Sequence, residues 1–407
     1  MAKILFLCSR FPLPADKGDK LRVYYQLKEL AVRHEVHLFA LSEQVINSLD
    51  YAAISTLCKS VHVHPLPLLN QYLQLAKSLY SGIPFQVAYF YHHFARKSFL
   101  KLVDDLQPDF IHCHLIRTTE YVRSPIGIPL SLDFMDAFGE GMAMRASTER
   151  NPLKRFIFKW ESKKLFRYEK EVFSFIHRFC IISDQDKKRI HSPENYRICI
   201  VANGVDFEIF KPRDEIKRYD LVFMGNLDYP PNLAAIQYLM VEIMPLLTKQ
   251  RPDIRLLIAG AGATEKILKY RSANTEIITD LKDISDSIAW SKIMIAPMIT
   301  SIGLQNKIIQ AMAMKVPCVV SMMANRAIGA PSPEAIRVAA NAGEYVTAIL
   351  DLMDNETQMT ETGQRGFEFV RKHFRWSSCS EALEKTIFGD DSGMQEKPLI
   401  VNTESNI

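Results

Sequence analysis

The sequence predicts an α/β protein made of two doubly wound parallel domains. Three observations carry the prediction. Strand-length apolar runs alternate with helix-length amphipathic segments, and the runs end in turns bearing glycine or aspartate. An Asn203-Gly204 turn followed by Pro212 separates two stretches that repeat the same logic. At 407 residues and 48% hydrophobic, the chain is long enough to bury two cores. A net charge of +4 is too small for a dedicated nucleic-acid binder.

The first unit opens with a strand from Ile4 to Cys8, a loop to Asp19, a helix from Lys20 to Arg33 and a strand from Glu35 to Leu41. In such sheets ligands bind beyond the carboxyl ends of the strands, so the loop lies at the functional edge. Lys17, Lys20 and Arg22 surround Gly18 where the helix begins. Three cations beside a helix start repel one another and favour a phosphate or acceptor group, against the plainer reading of a solvated turn with Asp19 as N-cap. Residues 50–100 show no motif; Tyr89, Tyr91, His92 and His93 read as half-buried packing, or as the lining of an acceptor groove.

A strand from Asp109 to Leu115 carries His112 and His114 on one face by its period of two. Without further ligands at metal spacing the pair does not read as a metal site. The strand Ile128–Leu132 ends in Asp133 and Asp136, two carboxylates before a glycine loop, and these are the general-base candidates, with helix capping as the alternative for either. Asn151–Ile176 is a long helical pattern. From Asn151 to Ile190 eleven Lys and Arg face five Asp and Glu, with Trp160 and several Phe interleaved, which suits either an anionic membrane surface or a packed helix with a solvated basic face. Strands Phe179–Ser183 and Cys199–Val201 close this half, and Asn203 and Asp206 read as turn formers.

The second unit repeats the scheme. Tyr219–Met224 leads into Gly225-Asn226 and a helix from Leu233 to Leu247, and Ile254–Ala259 leads into Gly260-Ala-Gly262, where the backbone can approach a ligand closely. A short strand at Ile277, a helix Asp283–Trp290 and a strand Ile293–Ala296 follow. Next comes Gly303-Leu-Gln-Asn-Lys307, opening a helix from Leu304 to Met314 and a strand Val316–Ser321. Ile308, Ala311 and Met312 make its apolar face, leaving Gln305, Asn306 and Lys307 to look outward, where a helix start favours an anion. Helices Asn341–Met353 and Glu361–Phe374 and a last helix to Phe388 complete the ordered chain, and the polar residues beyond it read as a disordered tail.

The segments Asp-Lys-Gly-Asp-Lys-Leu-Arg (16–22) and Gly-Leu-Gln-Asn-Lys-Ile-Ile-Gln-Ala-Met-Ala-Met (303–314) resemble family 4 glycosyltransferases, and more narrowly the sugar transferases that accompany exopolysaccharide and exosortase systems. The resemblance covers residues 3–388. It implies the GT-B fold, two Rossmann-like domains facing across a cleft, with 1–202 plus a crossing helix at 375–388 forming the acceptor side, 203–374 binding a nucleotide sugar, and 389–407 as tail. It implies a retaining transfer from a nucleotide-diphosphate sugar to a glycan or lipid-linked acceptor, without a metal or other cofactor. Donor contacts would come from Gly18, Lys20, Arg22, Gly225, Asn226, Gly260, Gly303, Leu304, Gln305, Asn306 and Gln310. Lys307 would serve the leaving diphosphate, Asp133 or Asp136 the acceptor hydroxyl, and Lys17, His112 and His114 would stand on the acceptor side.

Two departures from the family pattern bear on activity. Its paired glutamates are Ile302 and Gln310 here, and the usual Arg and Lys after the first strand of the second domain are replaced around Asn226 and Asn232. A non-catalytic or partner-dependent paralogue is therefore the second reading. A nucleotide-sugar epimerase is a remote third, since Cys8–Gly18 lacks a dinucleotide-binding glycine motif. The seven cysteines lack paired spacing and read as reduced thiols in a cytosolic protein. The N-terminal apolar run is too short for a secretory signal, and no run reaches the ~18 apolar residues of a membrane span. The expectation is a cytoplasmic enzyme in peripheral contact with the inner membrane face.

Overall fold

A computed structural model describes residues 1–300 and 303–389. Ser301, Ile302 and the expected tail from residue 390 lie outside the described residues. The chain divides into two compact units. One holds Met1–Ile181, Lys187–Val201 and the described chain from Ser380; the other holds Ile182–Asp186 and Ala202–Cys379.

The first unit is a parallel sheet of β1 (Lys3–Cys8), β2 (Glu35–Ser42), β3 (Ser60–Pro65), β4 (Phe110–His114), β5 (Leu130–Asp133), β6 (Arg178–Ile181) and β7 (Ile198–Ile200). Their order is β3-β2-β1-β4-β5-β6-β7. Helices cover both faces, so the inner strands are apolar on both sides. In β1, Leu5 and Leu7 pack with Phe39, Phe99 and Ile111, while Ile4, Phe6 and Cys8 pack with Val23, Leu27 and Leu383. The last helix, Trp376–Phe388, supplies Leu383 and Ile387 to that second cluster. Arg33 Nε (2.9 Å) and His34 (2.6 Å) hold its Glu384.

The second unit carries β8 (Tyr219–Met224), β9 (Leu256–Ala259), β10 (Thr275–Ile278), β11 (Ser291–Ala296), β12 (Cys318–Ser321) and β13 (Arg337–Ala339), in the order β10-β9-β8-β11-β12-β13. In both sheets the order turns at the first strand, and the crevice at such a turning point is where doubly wound sheets take ligands. The predicted helix Leu233–Leu247 belongs to a longer helical run, Pro230–Gln250, with a π turn at Leu239–Ile243 just before Pro245. Proline lacks the N–H that a regular turn would use, and the π turn absorbs that loss.

Strands β3 and β13, at sheet edges, were not predicted. Their residues are largely half exposed and lack a continuous apolar run. Among the described residues no cysteine is in a disulfide, and Cys199 alone of the seven is exposed. Among the described residues no helix is long and apolar enough to cross a membrane.

Candidate active site

In the second unit the glycine edges of β8 and β9 interlock. Met224 pairs with Ala259, which sets Gly225 beside Gly260. A Cβ on Gly260 would stand 1.8 Å from the Gly225 carbonyl oxygen, and φ of +144° places Gly260 where other residues are strained. Gly225 N–H donates to Ala259 O (3.0 Å) and Leu227 N–H to Ala261 O (2.7 Å), fixing both turns. Asn232 lies in the helix that follows β8. Its Nδ2 donates to Asn226 O (2.7 Å), folding the exposed Asn226 turn back onto the helix.

Lys307 enters this edge from the Asn306–Ala313 helix. The expectation that it looks outward is corrected: it is 7% exposed, its Nζ donates to Asn232 Oδ1 (2.6 Å) and stands 4.3 Å from the centre of the Phe223 ring. The helix start turns its Lys307 side to the sheet, so the long side chain must run along β8 to bring its amine to a polar partner. A Cβ on Gly225 would lie 3.2 Å from that amine, so the cation does end at the β8 turn. Burial lowers its pKa from 10.5 to about 7. A buried amine of this kind holds its proton less firmly than a surface lysine, and a neighbouring negative charge would strengthen that hold. Gly303 (φ +71°) faces Asp186, and Asn203 Nδ2 lies 3.4 Å from Asn306 Oδ1. Leu304, Gln305, Asn306 and Gln310 are half-buried around the same helix start.

The first unit corrects several expectations. Arg22 and Asp133 are both fully buried, joined by a 2.6 Å ion pair. Gln26 Nε2 (2.9 Å) and Met135 N–H (2.9 Å) also donate to Asp133, and Arg22 gives a further bond to Val201 O (2.8 Å). Burial raises the Asp133 carboxyl pKa, but Arg22 and then His114 more than offset it, holding the group well below the usual carboxylate range. A fully ionised carboxylate whose lone pairs are taken by a core cation is a poor base. Arg22 and Asp133 form a pair inside the core, and neither side chain is open to solvent.

Lys20 is likewise neutralised, 3.0 Å from Asp16, with a weaker bond to Pro14 O (3.4 Å). The repulsion argued from sequence is thus relieved inside the protein, and Lys17 at the helix N-cap is the exposed member of the three. Gly18 closes on Met135, where a Cβ would sit 3.3 Å from Cε. His112 is a core residue: Nδ1 pairs with Ser131 Oγ (2.7 Å), the ring packs against Phe6, and burial lowers its pKa to about 3. Asp136 is the half-buried member of the carboxylate pair. Tyr89, Tyr91 and His92 are half-buried and take part in ring packing.

At the ends of β1 and β4 the predicted His114 and Asp19 share a polar group with Ser9, Arg10 and Arg117, which sequence reasoning missed. His114 aligns with Cys8 and Asp133 across the sheet, and burial lowers its pKa to about 4, leaving a neutral ring with neither nitrogen hydrogen-bonded. Ser9 Oγ beside it is buried and unpartnered. Arg10 holds Asp19 Oδ2 at 3.0 Å, and Arg117, stacked over Phe90 and Phe138, lies 3.9 Å from the same oxygen. Asp19 is thus an ion-pair acceptor and not the helix N-cap. The signal was position alone: Ser9 follows β1 and Arg117 comes three residues after β4. Among the described residues no group of three His, Cys, Asp or Glu could hold a metal ion.

Comparison with known proteins bears on the fold and the family. Residues 218–355 match the family model described as glycosyl transferases group 1. A protein described as an uncharacterized 44.6 kDa protein in the cps region of Klebsiella pneumoniae is 22% identical over 402 residues, covering 92% of this chain and 97% of that one. Among solved structures, the sucrose-phosphate synthase of Thermosynechococcus elongatus has a TM-score of 0.66 at 13% identity, covering 94% of this chain and 98% of that one. HepE of Anabaena, in complex with UDP, has 0.65 at 12% identity, with 94% and 99% covered. WaaG, a glycosyltransferase involved in lipopolysaccharide biosynthesis, has 0.62 at 13%, with 95% and 100% covered. These likenesses establish the GT-B fold.

Proposed function

We propose that this GT-B chain, with its glycosyl transferases group 1 domain at residues 218–355, is a family 4-like retaining hexosyltransferase of the exopolysaccharide-associated branch. It takes a nucleotide-diphosphate sugar as donor and a glycan or lipid-linked sugar as acceptor. The observation that supports this best is the Lys307 amine delivered to the interlocked Gly225 and Gly260 turns, inside the domain that matches the family. Solved neighbours in complex with UDP and UDP-glucose make a uridine donor the first to try, and the cps-region relative points to an extracellular polysaccharide as product. An acceptor carried on a lipid would bring the enzyme to the inner face of the cytoplasmic membrane.

In this reading the glycine turns let phosphate oxygens approach the backbone, and Lys307 exchanges its Asn232 bond for the diphosphate and becomes fully charged. Positive charge on the departing diphosphate is what sugar transfer needs most, and here an amine and helix-start N–H groups at Gln305 and Asn306 provide it without a metal. Leu304 and Gly303 shape the sugar side, and Gln310 faces the ribose. Asp136 is the remaining carboxylate for the acceptor hydroxyl.

The test is calorimetric binding of UDP, GDP, ADP and their sugars, with and without EDTA, to the native chain and to Lys307→Met. We expect one nucleotide family to bind in EDTA and Lys307→Met to weaken it by at least tenfold. Absence of binding by every member would favour the non-catalytic reading. Product NMR then reports whether the anomeric configuration is kept.

A further inference from the structure

The helix Leu68–Ser81 is folded inside out. Its apolar side chains face solvent, Leu69 at 71%, Tyr72 at 69% and Tyr80 at 93% exposed, with Leu68, Leu73 and Leu79 also more than half exposed. The two residues it buries fully are polar, Gln71 and Ser78, each 1% exposed, and of its leucines Leu75 alone is half-buried. A water-facing helix ordinarily does the reverse, because apolar surface left in water gains nothing from folding. Lys77 is the one charged residue in its 14 positions.

The neighbouring Pro152–Glu171 helix completes the pattern. Lys164 Nζ donates to Ser78 O and to Ile83 O (3.3 Å), Glu161 accepts from Phe85 N–H (2.8 Å) and Gln86 N–H (3.0 Å), and Trp160 packs on Phe85. From this anchorage the first turns of the helix stand in solvent, exposing Leu153, Phe156 and Ile157 among Arg150, Lys154, Arg155, Lys159 and Lys163.

We infer that these two helices of the first unit dock on an anionic lipid bilayer, the Leu68–Ser81 helix lying in the interface with its leucines and tyrosines among the acyl chains, and the basic turns of the second helix lying against the headgroups. Charge decides the occupant. Five cations beside an apolar face match an anionic surface, whereas in a second copy of this chain they would meet their own like. The inference rests on the proposed function only for the lipid-linked acceptor.

The experiment is co-sedimentation of the full chain with vesicles of phosphatidylglycerol and phosphatidylcholine in equal parts, with hydrogen exchange read on the same samples. We expect salt-sensitive binding and protection of residues 68–81. Leu69→Ser/Tyr72→Ser/Leu73→Ser should lose at least tenfold in binding, and each Lys154→Gln or Lys159→Gln about fivefold. These side chains are exposed, so calorimetric melting should match the native chain and exclude misfolding. Failure to bind the vesicles, equal binding to pure phosphatidylcholine, or a dimer lost in the triple variant without vesicle binding would each overturn the inference. Nucleotide binding to Lys307 is measured without lipid, so failure of the donor reading and failure of this one are told apart.

Discussion

Replacing Asp133 by Asn removes one charge from the centre of the first unit while keeping the shape. The carboxylate accepts from Arg22, Gln26 and Met135, and both members of the ion pair are fully buried. The variant strands a guanidinium in the core, and breaking a buried pair in this way costs about 3–5 kcal/mol. In a unit of this size each kcal/mol moves the melting point by roughly 2–4 °C, so the unit should melt on the order of 10 °C lower. The pH dependence has a definite sign. The folded carboxyl pKa is depressed below the ordinary 3.8, so the stabilisation is present above that value and is lost as pH falls through the folded value. Calorimetry, with hydrogen exchange on β1, β4 and β5, reads both effects, and the acid-side loss should vanish in Asp133→Asn. The double variant Arg22→Met/Asp133→Leu should recover more than half of the loss, since an apolar pair needs no counter-charge. A single variant that melts within about a degree of the native chain and loses only turnover would refute this and return Asp133 to the chemistry.

Two other outcomes follow from the geometry. Gly260→Ala meets the Gly225 carbonyl at 1.8 Å at a positive φ, so it should destabilise the second unit by about 3 kcal/mol or more, whereas Gly82→Ala, with open space around it, should cost about 1 kcal/mol; urea melts compare them. Burial, with smaller contributions from Asp136 and Glu140, raises the Glu169 carboxyl from 4.5 to about 8. The unfolded chain gives up that proton first, so stability falls as pH rises from about 4.5 to 8, and Glu169→Gln should flatten the slope and melt higher at pH 8.

Buried parallel strands were legible because both faces need apolar residues: Tyr219–Met224 stands as predicted, and most others are within two residues. Edge strands β3 and β13 left no such run. The glycine edge was legible too, since Gly225, Gly260 and Gly303 follow strands in the order a doubly wound sheet requires. The cations were not. Lys17, Lys20 and Arg22 are neighbours in sequence, but Arg22 shares its helix face with Gln26, one turn on, and that face meets Asp133, over a hundred residues away. Lys307 was expected outside because it follows Gln305 and Asn306, yet its stem follows the sheet and its partner, Asn232, lies on another helix. The Leu68–Ser81 helix escaped because residues 50–100 showed no readable motif, and which way its apolar side chains point is decided by packing and not by its own sequence.

The Trp376–Phe388 helix gives the protein an order of assembly. Leu383 and Ile387, almost four hundred residues along the chain, are wholly buried beside Ile4, Phe6 and Val36 from the first strands. On the ribosome the half that is made first must wait for the last turns to emerge before its sheet is closed on that side. The first unit has all seven of its strands by Ile200, whereas the half from Ala202 to Cys379 needs nothing from this helix beyond Cys379 to cover its own sheet. A nascent chain stalled just short of Ser380 would leave that side of Ile4 and Phe6 open to chaperones, so synthesis through Phe388 is itself the checkpoint for covering the first sheet.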